Sequence, residues 1–281
     1  MNPATTPLAA AWTLTDAWPV ADWSCAVMWR TASGVHLESR GDTSRPQRIA
    51  SVSKPLTAWA VLVAAEEGSI SLDDPVGQSG CTVAHLLCHA GGYPFEGAQP
   101  VGRPGAKRIY SNAGYDLLAG HVEASTGMAF AVYLAEAVFI PLGMDASELR
   151  GSCAKDVWSC VDDLVAFVDE VRNPSLVAPD TALSAVTAQM PSLSGVVPGV
   201  GSFDPCPWGF GFEVRGHKSP HWTGTRNSAS THGHFGGVGT FLWIDPVADA
   251  ATVMLSETEF DAWGLAHWPA FSDAVLAGLG R

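Results

Sequence analysis

The stretch Arg48-Ile49-Ala50-Ser51-Val52-Ser53-Lys54-Pro55 decides how this chain is read. Residues 48–50 read as extended chain feeding a helix rich in Ala, Leu and Val, which runs to Glu66-Glu67-Gly68 with Gly68 as its C-cap. Pro55 falls in the first turn, where its missing N–H removes no helical bond. Residues three apart on a helix share a face, so the Ser51 hydroxyl and the Lys54 amine meet where the helix begins. An amine held there without its proton can take the hydroxyl proton and turn Ser51 into a nucleophile. The spacing alone is weak, because an N-cap serine beside a solvent-facing lysine looks the same. A second copy, Ser152-Cys153-Ala154-Lys155, follows Gly151 in what reads as a loop and is taken as a chance match.

Before this segment, residues 23–30 and 35–38 read as two strands joined at Ser33-Gly34. After it, helical patterns cover residues 82–89, 112–125, 129–139 and 161–172. Pro174 and Pro179 bracket a loop, and the Gly- and Pro-rich residues 194–207 read as a linker or surface loop. Strand-like patterns return at residues 210–215, 239–244 and 251–256, and a last helix spans about residues 260–279. Strands, helices, strands and a closing helix predict an α+β architecture. A sheet region of residues 1–55 and 208–281 would carry a mostly helical region of residues 56–207, with a site in the cleft between them.

The bulk numbers narrow the function classes. With 281 residues, 47% hydrophobic and 15% charged, the chain suits a packed globule rather than disorder. A net charge of −13 argues against a nucleic-acid partner, since phosphate binding needs a basic surface. The N-terminal residues carry no basic region followed by an apolar core, and the longest apolar run, residues 58–65, falls far short of the ~20 residues of a membrane span. The expectation is therefore a cytoplasmic chain with no membrane partner. The cysteines Cys25, Cys81, Cys88, Cys153, Cys160 and Cys206 form no Cys-x-x-Cys pair and read as free buried thiols. His85 and His89 sit four apart without the acidic residue of a metalloprotease helix, so core packing or a supporting role behind a site is expected and neither a metal nor a cofactor is called for. No Gly-x-Ser-x-Gly elbow occurs.

Two further motifs stand in a telling order. Tyr110-Ser111-Asn112 precedes a helix, and His234-Phe235-Gly236-Gly237 leads into a strand. Singly, Tyr110 reads as a half-buried aromatic, Asn112 as a helix cap and His234 as a loop histidine; His89-Ala90-Gly91 shows that His-x-Gly recurs by chance. Together with Ser51-x-x-Lys54, the order nucleophile, Tyr-x-Asn, His-x-Gly resembles that of the serine β-lactamase and penicillin-binding-protein superfamily, and most closely its class C-like branch of esterases and D-amino-acid peptidases. The resemblance runs from about Trp23 to Ser256 through Glu67-Gly68-Ser69-Ile70-Ser71-Leu72-Asp73-Asp74-Pro75, Leu86-Leu87-Cys88-His89, Pro141-Leu142-Gly143-Met144 and Trp208-Gly209-Phe210-Gly211-Phe212.

That resemblance implies an antiparallel sheet flanked by helices with an inserted helical region. It implies Ser51 as nucleophile and Lys54 as base, alone or with Tyr110. Asn112 would hold Lys54 or the substrate amide, and the backbone N–H groups of Ser51 and Gly237 would form the oxyanion hole. Gly236 and Gly237 leave room for that approach. His234 stands where relatives carry a lysine that anchors a substrate carboxylate, and a neutral histidine weakens that anchor. Lys218, Arg226 and Arg103 are the other candidates for that charge. The expected partner is a small ester, amide or lactam. A cytoplasmic esterase or amidase for a small or apolar acyl group is expected, with a β-lactamase, a D-amino-acid peptidase or a slowly turning penicillin-binding sensor as alternatives. A non-catalytic binding relative is disfavoured by intact Ser51, Lys54 and Tyr110.

Overall fold

The computed structural model describes residues 6–281. The helices are α1 (Ala9–Thr15), α2 (Ser53–Glu66), α3 (Val83–Leu87), α4 (Asn112–Thr126), α5 (Phe130–Leu134), α6 (Val161–Arg172), α7 (Pro179–Val186) and α8 (Ala262–Gly278). The strands are β1 (Trp23–Thr31), β2 (Gly34–Arg40), β3 (Gln47–Arg48), β4 (Glu148–Leu149), β5 (Val157–Ser159), β6 (Gly195–Val197), β7 (Gly201–Phe203), β8 (Glu213–Val214), β9 (His232–Gly236), β10 (Thr240–Asp245) and β11 (Ala250–Ser256). One antiparallel sheet runs in the order β2-β1-β11-β10-β9-β8, so its first two and last four members come from opposite ends of the chain.

Both faces of this sheet are covered, which is why β1, β10 and β11 are apolar nearly throughout rather than alternating. Ala26, Met28, Leu242, Ile244, Val253 and Leu255 share one core with α2 and the helical region. The intervening residues, among them Val27, Trp29, Phe241, Trp243 and Met254, pack on Trp12 of α1 and on Trp268, Phe271 and Val275 of α8. α2 is buried from Ser53 to Ala64 on every side, as expected for a helix without a polar stripe. Its first turns are fixed by side chains: Ser53 Oγ donates to the Ala50 carbonyl (2.6 Å) and accepts from the Val157 N–H (3.1 Å), and Thr57 Oγ1 donates to the Cys153 carbonyl (2.8 Å).

The α+β order is as expected, with corrections in detail. Ser51 lies in a 3₁₀ turn, Ala50–Val52, just ahead of α2, because Ala50 takes a left-handed backbone (φ +47°) that keeps the α-helix from starting sooner. α1 and α7 were not expected; Pro179, read as the edge of a loop, is the first residue of α7, where proline is preorganised. The presumed linker holds the β6–β7 hairpin. The strand expected at residues 210–215 shrinks to Glu213–Val214, and the His-Gly segment 232–236 becomes β9, held by β8 and β10 rather than by strand propensity. All six cysteines are free and buried.

Gly211 shows how closely the segment ahead of β8 meets α2. Its φ is +87°, and an added Cβ would lie 2.4 Å from the Ala58 Cβ. Gly211→Ala is expected to destabilise the fold by about 2–4 kcal/mol through strain and overpacking together, measured by urea unfolding. An unchanged midpoint would contradict the packing described.

Candidate active site

The turn that carries Ser51 is clamped between β9 and the start of α2. Thr240 Oγ1 donates to the Ile49 carbonyl (2.9 Å). A Cβ on Gly236 would fall 2.7 Å from that same carbonyl and 3.0 Å from the Ala50 Cβ, so only glycine lets β9 lie against the Ser51 turn. Gly237 has open space beside it and lines a cavity together with Ser51. The smallness of Gly236 therefore serves the turn, and that of Gly237 keeps the cavity wall free of a side chain.

Lys54 is fully buried one turn on. Its Nζ donates to Asn112 Oδ1 (2.6 Å) and to the Ala154 carbonyl (3.0 Å), and lies 3.4 Å from Ser51 Oγ. It also sits 4.6 Å from the centre of the Tyr110 ring and 5.5 Å from that of Tyr115. None of its hydrogen-bond partners is a carboxylate. Burial thus dominates and lowers its pKa to about 7, against the smaller opposing pulls of Cys153, Asp116 and Glu96. A neutral amine has two N–H bonds and one lone pair. Asn112 Oδ1 and the Ala154 carbonyl can only accept, so they take both N–H bonds and the lone pair is left to face the Ser51 hydroxyl.

Asn112 is free for this task because Ser111 is the N-cap of α4, accepting from Gly114 N–H at 2.9 Å. Tyr110 is half-buried just before it, and its phenol is held above its usual range by burial, against a hydrogen bond with Ser51. Tyr110 Oη is 3.5 Å from His234 Nε2. His234 Nδ1 faces the Phe235 carbonyl at 2.7 Å, which can only accept, so Nδ1 carries the proton and Nε2 is left as an acceptor toward Tyr110. Burial, helped by Lys54, lowers the His234 pKa to about 3, which keeps the ring neutral.

Ser51, Lys54, Tyr110, Asn112, His234, Gly236 and Gly237 are thus brought together. The three candidate cations are not. Lys218 is buried in an ion pair with Glu213 (2.7 Å), Arg226 bonds the Arg281 carbonyl, and Arg103 is exposed outside the cavity lining. Sequence reasoning missed three contributors, and left a fourth, His89, open between the core and a supporting role. Ala154, inside the tetrapeptide set aside as chance, supplies a carbonyl to Lys54. His89 is buried, lies 4.5 Å from the Tyr110 ring centre and accepts the Ser111 N–H at Nδ1, which fits the supporting role. Glu96 accepts from Asn112 Nδ2 (2.8 Å). The β6–β7 hairpin contributes Val197, Pro198 and Gly199 to a cavity of about 260 Å³ that Phe95, Trp208 and Phe260 also line. Only the proximity of Gly and Pro to a chain reversal hinted at the hairpin.

The sequence profile described as Beta-lactamase matches residues 9–271 of this chain. The fold is similar to a crystal structure described as a beta-lactamase from Mycobacterium bovis, with a TM-score of 0.93 and 45% identity over 96% of this chain and 100% of that one. Unliganded simvastatin synthase from Aspergillus terreus shares the fold at a TM-score of 0.77, with 19% identity over 96% of this chain and 98% of that one. An Escherichia coli protein provisionally named a D-alanyl-D-alanine carboxypeptidase is 27% identical over 64% of this chain and 57% of its own length. Penicillin-binding protein 4* of Bacillus subtilis is 28% identical over 36% of this chain and 30% of its own length. The chain therefore spans between 30% and 57% of these two curated relatives.

The state of Lys54 yields two expectations. Reaction at Ser51 that uses the free amine rises as pH climbs through about 7, measured as the acid limb of kcat/KM. Stability follows the same group: an unfolded lysine titrates near 10.4, so between about pH 7 and 10 the unfolded chain binds a proton that the folded chain does not, and stability rises with pH across that window. Urea titrations should show wild type gaining on Lys54→Met from pH 7 to pH 10, by an amount on the order of a few kcal/mol. A difference that stays constant with pH would show that Lys54 is not a depressed base.

Proposed function

This chain belongs to the Beta-lactamase family, and we propose that it hydrolyses small neutral esters, and amides more slowly, through an acyl-enzyme on Ser51. The observation that carries this reading is the cavity lining: beside Ser51, Tyr110 and His234 it is made of Phe95, Val197, Pro198, Gly199, Trp208, Phe235, Gly237 and Phe260, with no charged side chain. An anionic substrate would lose its hydration there without gaining a cation. A neutral, apolar acyl group loses only its contact with water.

The Lys54 lone pair takes the Ser51 proton as Ser51 Oγ attacks the substrate carbonyl carbon. The developing oxyanion is received by the N–H groups of Ser51 and Gly237, aided by the start of α2. The Tyr110 hydroxyl turns from His234 Nε2 to give its proton to the departing alkoxide oxygen and takes the proton gained by Lys54 in its place. His234 Nε2 accepts from Tyr110 and orients that hydroxyl, and its neutrality prevents a second cation from opposing Lys54. Water then attacks the acyl carbon as the Lys54 lone pair takes its proton; that proton passes to Ser51 Oγ as the acyl–oxygen bond breaks, which releases the acid and restores the neutral amine.

A second reading follows from the names of the relatives: a β-lactam hydrolase or D-amino-acid peptidase. It requires a peptide or lactam carboxylate to be accepted without the lysine on β9. Turnover of p-nitrophenyl butyrate, measured beside a chromogenic cephalosporin, separates the two. The ester should be the better substrate by kcat/KM, and Ser51→Ala should lose about a thousandfold or more. Intact-protein mass spectrometry should show one acyl group on Ser51. Absence of both ester turnover and adduct in wild type would end the acyl-enzyme reading, whereas faster turnover of the cephalosporin would favour the second one.

A further inference from the structure

Glu96 is outside the cavity and about half exposed, yet it is tied to the base. Its Oε1 accepts from Asn112 Nδ2 (2.8 Å) and from Lys155 Nζ (2.6 Å). The segment around it is stitched to the start of α4: Ser111 Oγ donates to the Pro94 carbonyl (2.7 Å) and the Asn112 N–H donates to the Phe95 carbonyl (2.9 Å). Three consecutive residues, Pro94, Phe95 and Glu96, thus each take one bond from Ser111 or Asn112.

An asparagine amide is nearly symmetrical in shape, and what surrounds it decides which end faces which neighbour. Lys54 has to meet the oxygen. If the NH₂ end faced it instead, the amine would turn its lone pair toward Asn112, away from Ser51. An ionised carboxylate can only accept, so Glu96 selects the NH₂ end for itself and leaves Oδ1 for Lys54. We propose that Glu96 is a positioning residue of this site: by fixing the orientation of the Asn112 amide, it aims the Lys54 lone pair at Ser51. The assignment rests on the acyl-enzyme reading above. The hydrogen bonds from Lys155 and Asn112 also hold the Glu96 carboxyl below its usual range, so it stays ionised under the conditions in which Lys54 works.

Charge and orientation can be separated by substitution. The ionisable groups around Lys54 are Glu96, Lys155, Asp116, Cys153, Tyr110, Tyr115, His89 and His234. Glu96 favours the protonated amine and Lys155 opposes it. Glutamine keeps an acceptor for Asn112 without the charge; methionine keeps neither. With p-nitrophenyl butyrate, Glu96→Met should lower kcat about tenfold with little change in KM, and Glu96→Gln should recover most of that loss. Both should move the acid limb of kcat/KM to lower pH, and Lys155→Met should move it to higher pH.

Loosening of the loop alone would lower all three variants without opposite shifts. Equal rates for Glu96→Met and Glu96→Gln, or a Glu96→Met enzyme with wild-type kcat and an unmoved limb, would overturn the proposal while leaving Ser51 chemistry standing. A wild type with no ester turnover and no Ser51 adduct would remove the reading on which it rests, and the proposal with it. Thermal melting of each variant checks that a lost rate is not a lost fold.

Discussion

A buried amine with no anion to answer it is the constraint around which the rest is arranged. Water would solvate a Lys54 ammonium far better than this interior does, and a paired carboxylate would keep it charged. The chain provides neither; it offers one amide oxygen and one carbonyl, enough to satisfy a neutral amine and too little to hold a charged one. The side chain therefore gives up its proton close to neutrality. The groups that enforce this come from three places far apart in the chain: α2, the start of α4 and the 152–156 loop.

The scaffold explains how such a group can be held. α2 is wrapped on every side, with the sheet on one flank and the helical region on the other, and its first turn is pinned by Ser53 and Thr57 to the segment that supplies Ala154. Trp59 Nε1 donates to the buried Glu170 (3.2 Å), whose carboxylate also takes the Ser175 and Leu176 N–H groups. Two other buried charged clusters are answered by their neighbours. Lys218 and His221 flank Glu213 and hold its carboxyl below the usual range despite burial, which tends to raise it. Arg108 donates to the carbonyls of Cys88, Cys206, Gln189 and Met190. Lys54 differs from both in being left a proton short, and it is the one beside a hydroxyl that opens to the cavity.

Much of this was legible from residue order. Apolar runs gave β1, β10, β11 and α2 because two-sided burial leaves a simple signal. Ser51, Lys54, Tyr110 and Asn112 were legible because their order along the chain, with His234 after them, resembles that of a known superfamily; the local spacing alone was weak. What stayed hidden depends on contacts between distant segments. Ala154 acts through its backbone, so no side chain advertises it. Glu96 matters only because residues 94–96 pack on 111–112. β9 is built from His and Gly, which hold a strand only when neighbours supply the ladder. The hairpin at residues 195–203 looked like a linker because its Gly and Pro content marks the turn and says nothing of what the turn rests against.

That hairpin divides the labour within the site. Val197, Pro198 and Gly199 form one wall of the cavity, and Gly199 packs so near Phe260 that an added Cβ would lie 2.9 Å from its ring. The hairpin joins the frame through the Ser194 carbonyl, which takes the Arg108 N–H at 2.9 Å, and none of its residues bonds Ser51, Lys54 or Asn112. On the proposed reading, exchange at the tip of the hairpin redraws the wall an acyl chain would meet without breaking a hydrogen bond to Ser51, Lys54 or Asn112. A link from this wall back to the site runs through Phe260, on which Gly199 rests and whose N–H donates to the Gly237 carbonyl at 2.9 Å, so a change of diet at the tip reaches the chemistry through that ring.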